Sequence, residues 1–150
     1  MTKQIVWSTD IHLNFVNQTT LDQYIERLSD ASPDAIAISG DIADSTSLIG
    51  YLTELDARLP CPVYFVLGNH DFYGGSIAQV RQEVRRLCRK REKLVYLTDV
   101  PFVEISEGVG LVGHDGWADA RIGDFERSMV MMNDYRLIDE FAGLGKRERW

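Results

Sequence analysis

Hydrophobic positions follow two alternating patterns along most of the chain. Some form short unbroken runs, and others recur three and four residues apart. The unbroken runs are Gln4-Ile5-Val6-Trp7-Ser8, Ala35-Ile36-Ala37-Ile38-Ser39 and Val63-Tyr64-Phe65-Val66-Leu67. Runs of that length, apolar on both faces, predict buried strands of a parallel sheet. Between them, Thr20 to Asp30 aligns Leu21, Tyr24, Ile25 and Leu28 on one helical stripe, with Thr20 and Gln23 spaced as a capping box. Ser47 to Leu59 aligns Leu48, Leu52, Leu55 and Leu59, and a third helix capped by Ser76 aligns Ile77, Val80, Val84 and Leu87. Strand and helix therefore alternate, which predicts an α/β fold with parallel strands and right-handed crossovers. Leu94 to Thr98 reads as a fourth strand. Phe102 to Ile105 and Gly110 to Gly113 flank a Glu107-Gly108 turn and predict a hairpin. Phe125 to Phe141 holds one or two helical segments in a weaker pattern, and no repeat or linker interrupts the chain.

Composition narrows the class. The 150 residues suffice for one domain with a core, and 45% apolar with 26% charged residues is ordinary for a globular chain. A net charge of -7 argues against general nucleic-acid binding, which needs basic patches. Anionic substrates stay open, because bound cations invert a local field. The charged stretch from Arg85 to Lys93 suits a solvated helix end that complements the dipole. Two separate cysteines, Cys61 and Cys88, form no CxxC pair and fit a reducing compartment. With no signal peptide and no membrane-length apolar run, a cytoplasmic location without membrane partners is expected.

The chemistry concentrates where strands end. The first strand delivers Asp10 and His12, which project to the same side if the backbone stays extended. The second delivers Asp41 and Asp44, and the third Asn69, His70 and Asp71. In a parallel sheet these ends share one edge, where ligands of open α/β sheets bind. Any one such residue is ordinary as a helix cap or turn former. Carboxylates, imidazoles and an amide at three consecutive strand ends point instead to a cation site with a proton donor beside it.

The motifs Asp10-Ile11-His12, Gly40-Asp41-Ile42-Ala43-Asp44 and Gly68-Asn69-His70-Asp71 resemble, in order, those of the calcineurin-like metallophosphoesterase family. The resemblance covers roughly the first half of that family's domain. It implies the N-terminal half of a four-layer α/β/β/α sandwich. The implied activity is phosphoester hydrolysis by a hydroxide activated between two divalent metal ions, drawn from Mn, Fe, Zn, Ni or Co. It implies that Asp10 and His12 bind the first metal, that Asp41 bridges both, and that Asn69 binds the second. His70 would act on the phosphate or leaving group, oriented by Asp44. Phosphorylated small molecules or proteins would be the substrates. A shared carboxylate offsets repulsion between two cations, which together clamp the attacking and leaving oxygens.

The family's later elements, a lone His and Gly-His-x-His, do not occur; after His70 only His114 remains. Residues 1–150 are thus expected to be a single incomplete domain, an N-terminal fragment whose isolated activity is weak or absent. His114 either replaces the lone His as a ligand or lines the substrate side with Trp117 as a wall; a structural role is the third reading. Arg121 could meet a phosphate, although a surface position suits it better. A non-catalytic scaffold of the same fold is the rival function, and retention of His70 and Asp44 counts against it. A haloacid-dehalogenase-type phosphatase needs Asp-x-Asp after the first strand, where His12 stands instead. No glycine-rich loop supports a nucleotide-binding module.

Overall fold

Four apolar runs pair into one parallel sheet in the computed structural model, which describes residues 3–116 and 123–149. The strands are β1 (Ile5–Ser8), β2 (Ala35–Ser39), β3 (Val63–Val66) and β4 (Leu94–Tyr96), in spatial order β1-β2-β3-β4. Three helices connect them: α1 (Gln18–Asp30), α2 (Leu48–Arg58) and α3 (Ile77–Cys88). The strand order runs in one direction, so right-handed crossovers lay all three helices on the same face.

Burial records that one-sided covering. Register aligns Ile36, Val63 and Leu94 across the sheet, and Ile38, Phe65 and Tyr96 beside them; all six are buried. They pack into one core with Leu21, Ile25 and Leu28 of α1, Leu48, Leu52 and Leu55 of α2, and Val80 and Val84 of α3. The opposite face carries the ladder Trp7, Ala37, Tyr64 and Val95. Trp7 is 70% exposed there, its indole N–H donating to Ser39 Oγ, and the other three are half-buried.

The hairpin forms as expected, from β5 (Val103–Ser106) and β6 (Val109–Leu111), with Gly108 at φ 72 in the turn. It pairs antiparallel with itself and stays outside the main sheet. Beyond it, a short helix, α4 (Asp134–Leu137), is followed by a 3-10 turn over Asp139–Phe141. This segment lies along the loop before α3. Gly74 N–H donates to Leu137 O at 2.7 Å, Asp139 N–H donates to Gly75 O at 3.0 Å, and Ile138 is fully buried. Glu140 completes the attachment by accepting from Ser76 Oγ and the amides of Ile77 and Ala78, orphan donors at the start of α3.

One local expectation is corrected. α1 begins at Gln18, capped by Asn17, whose Oδ1 accepts from Thr20 N–H at 2.9 Å. Asn17 has the extended backbone a cap requires, whereas Thr20 already lies inside the helix and its hydroxyl donates to the same Asn17 oxygen. The Ser47 and Ser76 boundaries stand as expected. Both cysteines are free thiols, and burial pushes Cys88 up to about 11.

Candidate metal site

The ends of β1, β2 and β3 meet at one sheet edge, held by backbone bonds beyond the strands themselves. Asp10 N–H donates to Gly40 O, His12 N–H to Asp41 O, and Leu13 N–H to Ile42 O. The chain does not stay extended here. Asp10, His12 and Asp41 have φ of 51, 42 and 54. The strand alternation expected to bring Asp10 and His12 to one side therefore does not operate. Left-handed backbone at a non-glycine residue costs about 1–3 kcal/mol and persists only where surroundings enforce it. Three such residues at one edge mark a built site.

Two glycines allow the loops to approach. A Cβ on Gly40 would lie 2.7 Å from Gly68 N, and one on Gly68 would lie 2.1 Å from Asp41 Oδ1. That closeness lets His70 N–H donate to Asp41 Oδ1 at 3.0 Å. Asp71, fully buried, fixes the same loops from below. Its Oδ1 accepts from the amides of Ile42 and Ala43, and its Oδ2 accepts from Gly68. Burial pushes its carboxyl up to about 7, opposed by those three amide donors.

Within this edge, His12, Asp41 and His70 each place a ligating atom within 4.8 Å of the others. His12 Nε2 stands 4.0 Å from Asp41 Oδ2, and the two imidazoles meet edge-on with centroids 4.5 Å apart. The buried Nδ1 of His12 has no hydrogen-bond partner among the described residues. Two imidazole nitrogens and a carboxylate oxygen suit a borderline divalent cation, so the residues present fit a metal. Asp10 belongs to the same edge but not to this three-residue group; its Oδ2 accepts from Thr9 Oγ1 at 2.5 Å. His70, expected from the resemblance to move protons, thus lies among the ligating atoms.

Asp44 is occupied locally. Its Oδ1 accepts from the amides and hydroxyls of Thr46 and Ser47, and its Oδ2 accepts from Asn14 Nδ2 at 3.2 Å. Burial would raise its carboxyl, but those donors outweigh it and hold it below the usual range. No hydrogen bond links Asp44 to His70 among the described residues. Asn69 Nδ2 donates to Asp134 Oδ1 at 2.7 Å and to Tyr73 Oη at 3.0 Å. Its amide oxygen is therefore the atom left for a cation.

His114 is exposed and lies outside the three-residue group. Its neighbour Asp115 is the buried member of that stretch. Asp115 accepts from Leu67 N–H and Thr98 Oγ1 at 2.8 Å, from Arg81 Nε at 3.0 Å and from the Tyr96 hydroxyl. It thereby fastens the end of β3, just before Asn69, to β4 and α3. The Trp117 and Arg121 expectations lie outside the described residues.

Asp134 and Asp115 carry no motif. Asp134 falls in the weakly patterned 125–141 stretch and Asp115 just after the predicted hairpin, 65 and 48 residues from the partners they engage at the end of β3.

A one-sided parallel sheet whose strand-end loops gather imidazole and carboxylate groups defines a candidate metal-binding edge. The chain belongs to the calcineurin-like phosphoesterase family, which matches residues 3–148. It is 32% identical over 120 residues to an uncharacterized metallophosphoesterase of Campylobacter jejuni, covering 75% of this chain and 31% of that protein. It is 33% identical over 81 residues to a Bos taurus transmembrane protein with a metallophosphoesterase domain, covering 50% of this chain and 18% of that protein. The chain thus spans under a third of either relative's length. In fold it resembles the phosphopantetheinyl hydrolase PptH from Mycobacterium tuberculosis, with a TM-score of 0.64 and 16% identity over 98% of this chain and 58% of that one. No helix among the described residues is long and apolar enough to cross a membrane.

Proposed function

We propose that this edge binds divalent cations and hydrolyses phosphoesters, with Asp10, His12, Asp41 and Asn69 as ligands and His70 as proton donor. The observation that carries the proposal is the convergence of His12, Asp41 and His70 within 4.8 Å on strained backbone at the sheet edge. Bound cations would supply positive charge for phosphoryl oxygens and lower the pKa of an attacking water. The chain's own residues do the rest. Asp41 keeps His70 close through its backbone amide, and the Tyr73 ring lies tilted against the His70 ring with centroids 4.3 Å apart, limiting its rotation. An imidazole held so beside the ligands can protonate a departing alkoxide or donate to a phosphoryl oxygen. Asp44 remains the candidate for orienting His70, and the exposed His114 the candidate on the substrate side. The half-open second face of the sheet supports placing these residues as the N-terminal part of a larger sandwich. Manganese is the first metal to try.

The membership of His70 in the cluster favours a second reading, in which it is itself a ligand. Metal content separates the two. Asp41→Asn is expected to abolish Mn2+ binding and aryl phosphate hydrolysis together. His70→Ala is expected to retain metal while slowing turnover about a hundred- to ten-thousand-fold. Equal loss of metal in both variants would make His70 a ligand. A folded chain that takes up Mn2+ but hydrolyses no phosphoester in any metal would overturn the enzymatic reading.

A further inference from the structure

We propose that Asp134 is a positioning residue for the metal edge, setting which atom of Asn69 faces the cation. This rests on the metal-site reading above and adds to it a residue from the far end of the chain.

Asp134 is fully buried, and its Oδ1 accepts at once from Asn69 Nδ2 and from the Tyr73 hydroxyl at 2.5 Å. An ionised carboxylate only accepts, while a primary amide can either donate or accept. The carboxylate therefore dictates that Asn69 turns its nitrogen inward and leaves its oxygen for a ligand. Turning the amide over would set oxygen against oxygen at 2.7 Å. The same carboxylate anchors Tyr73, whose ring backs His70 at 4.3 Å, and His70 meets His12 at 4.5 Å. One buried charge thus reaches three residues of the edge.

Fold stability gives no reason for that charge. Asp134 Oδ2 is buried with no hydrogen-bond partner among the described residues. A half-satisfied buried carboxylate is costly, and a neutral side chain of the same shape would bury more cheaply. The attachment of the segment is supplied elsewhere, by Ile138 in the core, by the backbone bonds to Gly74 and Gly75, and by Glu140. The acid is left to act on Asn69 and Tyr73. Partners that orient metal ligands from behind typically contribute 10- to 100-fold in affinity.

The test compares Asp134→Asn with Ile138→Ala in the full chain. Mn2+ affinity is read by calorimetry, the visible spectrum with Co2+ bound, and Tm by circular dichroism. The amide introduced by Asp134→Asn can offer a donor to Asn69 and so removes the directional rule without changing shape. Asp134→Asn is expected to weaken Mn2+ about 10- to 100-fold and to shift the Co2+ bands, with little change in Tm. Ile138→Ala loosens the same segment while keeping the charge; it should lower Tm and leave affinity within about twofold and the bands unmoved. Tyr73→Phe, which removes the shared hydroxyl, should give a smaller loss of affinity. Wild-type affinity and bands in Asp134→Asn would overturn the positioning role alone. So would losses that follow Tm equally in Asp134→Asn and Ile138→Ala. A folded wild-type chain that takes up neither Mn2+ nor Co2+ would overturn the metal reading and this role with it.

Discussion

Gly68 has the least room of the glycines at the metal edge. A Cβ there would fall 2.1 Å from Asp41 Oδ1 and 2.7 Å from Asp41 N, distances that require Asp41 itself to move. Gly50, inside α2, is the natural contrast, since a Cβ there meets nothing within 4 Å. Gly68→Ala is expected to cost about 1–3 kcal/mol of stability by overpacking and to remove Mn2+ binding, because Asp41 is displaced. Gly50→Ala should instead stabilise by about 0.5–1 kcal/mol through helix propensity, with Mn2+ binding retained. Denaturant midpoints and a Mn2+ titration of both variants check this. A Gly68→Ala chain with wild-type affinity would mean that the loops have slack not visible in their spacing.

At the scale of elements, the join between the 134–141 segment and α3 depends on an exposed glutamate. Burial would raise the Glu140 carboxyl, but the amide of Ile77, the Ser76 hydroxyl and the amide of Ala78 outweigh it and hold it below 4.5, its ordinary value. A folded-state value below the unfolded one means that folding favours the anion. Its contribution is complete above the ordinary value and is lost as pH falls through the folded one. Glu140→Gln should therefore lower Tm at neutral pH, and the gap to wild type should close in acid below that window. Thermal melts of both chains across about pH 2 to 7 measure it. A gap independent of pH would show that the Glu140 charge contributes nothing to the join.

For the whole molecule, the important asymmetry is that, among the described residues, α1, α2 and α3 cover one side of the sheet. Trp7 at 70% exposed, with the half-buried Ala37, Tyr64 and Val95 beside it, makes a continuous apolar ladder in contact with water. Phe102 at 60% and Val112 at 68% exposure add apolar surface from the hairpin region. Large contiguous apolar patches are uncommon on soluble monomers and promote association. Light scattering of the 150-residue chain should show concentration-dependent self-association, weakened by Trp7→Lys. A strictly monomeric chain at high micromolar concentration would show that this face tolerates water as it stands.

The amino-acid sequence by itself determined the order of strands and helices, the shared edge and most of the candidate residues on it. These depend on short-range regularities. Unbroken runs such as Ala35 to Ser39 fit a strand that is apolar on both faces, and the Leu48, Leu52 and Leu55 spacing fits a helix face. In a parallel sheet, consecutive strand ends must then coincide, so Asp10, His12, Asp41, Asn69 and His70 could be expected on one edge before any contact was known, whereas the closer grouping of His12, Asp41 and His70 could not. Tertiary structure alone decided how that edge is held. The left-handed backbone at Asp10, His12 and Asp41 is enforced by bonds between strands, and a local extended conformation gives no sign of it. Asp44 turned to Asn14 and to Thr46 and Ser47 ahead of α2, where donors meet both of its oxygens. Asp115 and Asp134 reached β3 from across the chain, and the spacing around neither position names its partner. Spacing along a chain reports which face a residue occupies; which distant carboxylate meets an amide depends on how whole elements pack, and that is written in no single stretch.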